Sequence, residues 1–315
     1  MPEEADGVYA AQTAPHGNQE FRWITLGTMS GPLPSAVRHQ PANVLYDGME
    51  PIVVDCGGDG AVDQLARAGI SLPAVHTVIL SHLHIDHTAG LYGLLGGRRL
   101  QAQIPGPLNI YGPPGTLRIA NAIRSSFDFA SGLMSQVPGF IRQSDADITV
   151  VEITDGSRFT VGRIDVTATI NTHYGYPEGS PEASRYQSLS LRFDTPPTRS
   201  IVYTGDTGPS EKVERLALGG VDLLVSEITD PPDQVVGQIS RSLPFPSEVL
   251  AAIKRRFERE HLTAEEVGLL ASRADVKSVV ITHNPLTPEN MARARIAIGS
   301  HFTGAVAFAA DLDIY

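Results

Sequence analysis

Ser81-His82-Leu83-His84-Ile85-Asp86-His87-Thr88-Ala89-Gly90 carries three of the chain's ten histidines within six residues, directly behind the apolar run Thr77-Val78-Ile79-Leu80. At a strand end, residues two apart point the same way, so His82 and His84 can face one point. Asp86 and His87 fall at the turn into a helix expected to begin near Thr88, free to face a second point. Imidazole and carboxylate groups without a thiolate suit two zinc ions side by side better than a softer-ligand metal. A surface histidine cluster is the ordinary alternative. Four ligand-type residues at this spacing behind a strand argue against it.

Two metals need more ligands than four. Downstream, His173, Asp206 and His283 each close an apolar stretch, in ATINTHYG, SIVYTGDTG and SVVITHNP. Singly, such a residue usually just meets solvent. Several strand ends delivering ligand types to one sheet edge is a different pattern, and Asp206 is the carboxylate free to bridge.

The strands themselves read as short apolar runs closed by Gly, Pro, Asp or Asn, at 21–27, 42–48, 51–57, 76–82 and 108–112. Others follow at 147–153, 164–171, 188–193, 200–204, 221–226, 278–282 and 305–309. Helical patterns occupy 210–218, 247–260 and 263–274, the last opened by Thr263 and Glu266 in capping-box spacing. Strand-rich blocks with helices in both halves predict two packed sheets covered by helices, an α+β layered domain over 21–315. Residues 92–107 and 229–246 read as Gly- and Pro-rich loops bordering the site, the second offering Leu243 and Phe245 as a pocket wall. The stretch behind His173 offers Tyr174 or Tyr176 in the same role.

Composition removes other classes. Of 315 residues, 42% are hydrophobic and 19% charged, which excludes disorder and coiled coil. With 24 basic against 35 acidic residues the net charge is −11, repelling a polyanion on average. The single cysteine, Cys56, excludes an intrachain disulfide and a cysteine-based zinc site. No apolar run approaches the roughly 18 residues of a membrane span. Residues 1–20 are expected to be loose; they lack a basic start and apolar core, so no signal peptide is expected. A cytoplasmic compartment is the default, with an exported mature form as the other reading.

On His82-x-His84-x-Asp86-His87 with His173, Asp206 and His283, the chain resembles the metallo-β-lactamase-fold hydrolases from about residue 23 to 314. It looks most like their ribonuclease Z, phosphodiesterase and arylsulfatase branch. The residues carrying that likeness are Leu26-Gly27-Thr28, Val54-Asp55-Cys56-Gly57, Tyr111-Gly112-Pro113, Thr204-Gly205-Asp206-Thr207, Ser226-Glu227 and His261-Leu262-Thr263. The resemblance implies an αββα sandwich of two similar halves. It implies one zinc on His82, His84 and His173, a second on Asp86, His87 and His283, and Asp206 bridging, with Mn2+ or Fe2+ as the alternative ions. Asp55 would orient a ligand histidine. Asp86, His261 and Glu227 are the expected catalytic residues. Water held between the metals becomes hydroxide near neutral pH and attacks phosphorus or a carbonyl carbon, while His261, oriented by Glu227, protonates the leaving group. Against that role, His261 sits just before a helix start, where a cation is disfavoured.

In ribonuclease Z an arm that grips tRNA lies between the positions matching His173 and Asp206. Here the interval holds 32 residues with three Arg and no Lys, most of them needed for two strands. The partner expected is therefore a small molecule rather than tRNA, and a homodimer is the assembly common in the branch. The basic run Lys254-Arg255-Arg256 lies in a helical pattern and reads as a solvated face. The expected activity is hydrolysis of a small phosphodiester or related ester. The alternative is ring opening of a β-lactam or lactone, which leans less on a proton donor. An inactive interaction member would have lost ligands. A di-iron redox member would carry a carboxylate in place of His84.

Overall fold

The computed structural model describes residues 21–315 apart from 32–34, 59, 102–105, 133–146, 196, 198 and 243. The N-terminal 1–20 and Leu243, both named above, lie outside the described residues. The first sheet is built in chain order from β1 (Arg22–Gly27), β2 (Ala42–Tyr46), β3 (Pro51–Cys56), β4 (Thr77–Ile79), β5 (Leu108–Gly112) and β6 (Ile148–Glu152). Its first two pairings are antiparallel and the rest parallel. Between these strands run α1 (Ala61–Arg67), α2 (Ile85–Thr88), α3 (Gly90–Gln101) and α4 (Thr116–Gly132).

The second sheet repeats the plan. β7 (Arg158–Val161), β8 (Ile164–Ile170), β9 (Leu189–Thr195) and β10 (Arg199–Tyr203) pair antiparallel; β11 (Leu223–Ser226), β12 (Ser278–Ile281) and β13 (Ala305–Phe308) then add in parallel. Its helices are α5 (Pro181–Arg185), α6 (Glu211–Ala217), α7 (Pro232–Ser242), α8 (Ser247–Glu260), α9 (Ala264–Arg273) and α10 (Pro288–Gly299).

Strand alternation sorts the apolar residues into three cores. Leu45, Val54 and Ile79 of the first sheet meet Leu191, Phe193, Tyr203 and Val225 of the second, closing the space between sheets around Trp23. Their chain neighbours Val44, Val53 and Val78 point the other way, against Leu65, Leu91 and Leu94 of α1 and α3. In the same manner Val202, Leu224 and Val279 pack on Val213, Val267 and Ile298 of α6, α9 and α10. Strands covered on both faces read as unbroken apolar runs, which is why they were legible. The order is helix, sheet, sheet, helix, the expected sandwich.

Three sequence expectations need correction. The stretch 92–107 is not a loop through most of its length, since α3 runs to Gln101 despite four glycines. Gly93, Gly96 and Gly97 leave room where Val62, Phe127 and Leu72 pack on the helix, so packing overrides propensity. The stretch 229–246 contains α7, with Pro232 at its first position, where the missing N–H is no loss. The helix expected near Thr88 begins earlier, at Ile85, so Asp86 and His87 sit within its single turn.

Candidate metal centre

Six parallel-running strand ends open on one edge. β3 ends at Asp55 and Cys56, β4 leads to Ser81–His84, and β8, β10, β11 and β12 deliver His173, Asp206, Glu227 and His283. His82, His87, His173, His283, Asp86, Asp206 and Glu227 are buried, while His84 and His261 are half-buried. All seven residues expected as ligands therefore converge, as do His261 and Glu227.

The ring nitrogens fall into two groups. His84 Nδ1 lies 3.2 Å from His82 Nε2 and 2.9 Å from His173 Nε2. Opposite them, Asp86 Oδ2 is 3.7 Å from His87 Nε2 and 3.5 Å from His283 Nε2. The Asp206 carboxylate stands between the groups. Its Oδ2 is 3.9 Å from His82 Nε2, 3.8 Å from His173 Nε2 and 3.4 Å from His283 Nε2, and its Oδ1 is 3.3 Å from His87 Nε2.

The far sides of the rings decide what faces inward. Asp55 is saturated: it accepts from the Ser81 N–H at 2.7 Å, the Ser81 hydroxyl at 2.7 Å, the Tyr203 hydroxyl at 2.8 Å and His87 Nδ1 at 2.8 Å. His87 thus carries a proton on Nδ1 and turns its Nε2 toward Asp86 and Asp206. Because Ser81 donates to Asp55, its oxygen accepts from His82 Nδ1 at 3.1 Å, and His82 Nε2 is left bare. His173 Nδ1 donates to the Glu260 carbonyl at 3.1 Å, so its Nε2 also points inward without a proton. Two backbone positions that aim these groups are left-handed at non-glycine residues, Asp55 at φ 55° and His283 at φ 38°. Such conformations persist where surrounding structure imposes them.

The donor set fits a pair of divalent cations. The Nε2 lone pairs of His82 and His173 both face His84 Nδ1. His87 Nε2, His283 Nε2 and Asp206 Oδ1 are buried without a hydrogen-bond partner. Buried polar atoms are normally satisfied, and cations at these two points would satisfy them. Burial, with His87 close by, holds His82 well below the usual histidine range, and burial brings His173 down to about 3. Burial would raise Asp206, but His283 and His87 outweigh it and keep the carboxylate ionised. Burial works against charge on His87 and His283 as well, but Asp206 outweighs it and raises both, so cations at these points would displace the protons of those two rings.

On the rim, His261 Nδ1 donates to Glu227 Oε2 at 2.8 Å, and Glu227 Oε1 accepts the Thr207 N–H at 2.6 Å. Burial works against a charged His261 ring; Glu227 outweighs it and raises the group to about 9. Phe257 stacks on the ring at 5.2 Å, and His173 meets it edge-on at 4.9 Å.

Sequence reading missed three contributors. The Tyr203 hydroxyl holds Asp55, and the clue was a phenol at the end of an otherwise apolar strand. Glu260 acts through its backbone carbonyl, which no side-chain pattern reveals. Gly31 packs on Asp86, where an added Cβ would stand 2.2 Å from the carboxylate.

Comparison with known proteins places this arrangement. The family model for the beta-lactamase superfamily domain matches residues 51–284. Ribonuclease Z of Mycobacterium bovis is 27% identical over 303 residues, covering 92% of this chain and 96% of that protein. Ribonuclease Z of Bradyrhizobium diazoefficiens is 30% identical over 280 residues, covering 84% and 89%. Among solved structures, the metallo-beta-lactamase fold protein YhfI of Bacillus subtilis superposes with a TM-score of 0.67 at 18% identity, covering 94% of this chain and 99% of that one.

Proposed function

We propose, from the premise that this chain belongs to the beta-lactamase superfamily, on the branch that includes ribonuclease Z, that it is a two-zinc hydrolase of small phosphodiesters. One zinc would be held by His82, His84 and His173, the other by Asp86, His87 and His283, with Asp206 shared. When bound, the two ions supply Lewis acidity, bringing water toward its ionised form near neutral pH and drawing charge from a phosphoryl oxygen. Everything else is done by the chain. Asp55 and Ser81 hold the rings of His87 and His82 in the tautomers that face the ions. The Glu260 carbonyl does the same for His173. The buried sheet edge excludes bulk water behind the site.

The observation carrying this reading is the His261–Glu227 pair at 2.8 Å beside the ligand cluster. Glu227 keeps the imidazole charged and turned by its Nδ1, leaving Nε2–H free to protonate a departing alkoxide. Ester and phosphodiester cleavage with a poor leaving group needs such a donor; a strained lactam leans on it less. The 32-residue interval between His173 and Asp206 holds α5, β9 and β10, which fill about half of it. That supports a small substrate over tRNA.

Zinc-loaded protein assayed on bis-(p-nitrophenyl) phosphate, a lactone panel and a chromogenic cephalosporin tests the proposal, with Asp206→Ala and metal content by mass spectrometry alongside. Phosphodiester turnover with about two zinc per chain, lost in Asp206→Ala, is the expected result. Lactam or lactone turnover without phosphodiester turnover would overturn the substrate assignment.

A further inference from the structure

A cleft of about 790 Å³ opens beside the cluster, a size ordinary for a small-molecule site. Asn171, Thr172 and Tyr174, the neighbours of His173, line it together with the more exposed Tyr176 and Tyr186. Tyr174 joins the two places: its ring centre lies 5.1 Å from that of His84, and its hydroxyl accepts the Leu83 N–H at 3.1 Å. Tyr176 and Tyr186 pack at 5.7 Å with their ring planes 29° apart, and the Arg185 guanidinium sits 5.1 Å from the Tyr186 ring centre. The pair is therefore held in place, yet Tyr176 and Tyr186 remain 44% and 42% exposed. Large aromatic rings kept in water at the mouth of a cleft are costly unless something covers them.

Charge narrows what covers them. The cations lining the cleft already have carboxylate partners: Lys212 with Asp155 at 2.7 Å, Arg215 with Glu211 at 3.4 Å and Arg259 with Glu260 at 3.5 Å. A groove for a nucleic-acid backbone carries cations free to meet phosphates. This cleft instead offers π-faces and neutral hydrogen-bonding groups, with the carboxylates of Asp155, Glu178, Glu211 and Glu258 set among its cations.

We propose that the cleft binds a planar aromatic group of the substrate, an aryl ring or a nucleobase, stacked on the Tyr176–Tyr186 pair while the phosphate occupies the adjoining metal centre. This rests on the phosphodiesterase reading and names its substrate class. Stacking of one ring on an aromatic side chain corresponds to roughly 5- to 150-fold in affinity.

The test is calorimetric titration of zinc-loaded protein with phenyl phosphate and adenosine 5′-monophosphate, against methyl phosphate and ribose 5-phosphate as ring-free controls. The ringed ligands are expected to bind roughly 5- to 150-fold tighter than their controls. The margin should collapse in Tyr176→Ala/Tyr186→Ala and persist in Tyr176→Phe/Tyr186→Phe. A margin for both ringed ligands identifies an aryl site, and a margin for the nucleotide alone identifies a nucleobase site. Equal affinities with and without the ring, or a margin that survives the double alanine variant, overturns the proposal. Because this readout is binding, a protein that keeps the margin but turns over no phosphodiester retains the aromatic site while the hydrolase reading falls.

Discussion

At the scale of single residues, the decisive group is one that would touch no metal. Fully buried, Asp55 accepts four hydrogen bonds from three partners, and through them sets two of the imidazole tautomers. Asp55→Asn replaces an acceptor with an amide N–H facing other donors. Zinc affinity is expected to fall roughly 10- to 100-fold, measured by competition with a chromophoric chelator. An unchanged affinity would show that Asp55 only braces the strand end. In the proposed reaction His261 would act at a different step. His261→Ala should slow alkyl phosphodiesters by roughly 10²- to 10⁴-fold while sparing p-nitrophenyl esters, whose leaving group needs no proton. Equal losses on both would remove His261 from the donor role. Cys56 is the contrast. Fully buried, it has a thiol raised to about 12 by burial and by Asp55 beside it. It packs in the core between the first sheet and its helices, as an inert small apolar residue does.

At the scale of elements, α9 shows how local chemistry places His261. Thr263 Oγ1 accepts the Glu266 N–H while Glu266 returns a carboxylate to the Thr263 N–H at 2.8 Å. This box fixes the helix start two residues beyond His261. Thr263→Ala should cost about 1 kcal/mol, lowering Tm by roughly 1–3 °C in a chain this long. A loss of kcat on alkyl esters larger than the loss on aryl esters would show that the cap also positions His261. The capping box was readable because both partners lie within four residues. α3 and α7 were not, because glycines and prolines argue locally against helix. Their stability comes from Leu91, Leu94 and Leu95 in one case, and from the packing of α7 on α8 in the other. β7 escaped for the opposite reason: at four residues with no buried side chain, it presents little apolar signal.

At the scale of the whole molecule, the site exists only because two sheets are assembled. Its donors come from both, and buried lone pairs without partners oppose that assembly. Chelation should therefore lower Tm, and restored zinc should raise it in proportion to the logarithm of free metal. A melting curve indifferent to chelator would show that the cluster is satisfied without ions. Acid should weaken the second sheet independently. Burial tends to raise Asp155 and Asp222, but Lys212 and Lys277 outweigh it and hold both below the usual aspartate value. Their contribution is present above that value and is lost as pH falls through the lower folded values. Unfolding midpoints followed below pH 4 should show the loss diminished in Lys212→Met/Lys277→Met. The sequence by itself determined which residues can ligate metal, since ligand type, two-residue spacing and a preceding apolar run are local properties. It also determined the sheet strands other than β7, because burial on both faces writes continuous apolar runs. Only the tertiary structure decided that Asp206 lies within 3.9 Å of four imidazoles, that Tyr203 reaches Asp55, and that Tyr176 and Tyr186 share a cleft. Those contacts join residues far apart in the chain, and their distances are set by strand register and sheet packing, which no local pattern encodes.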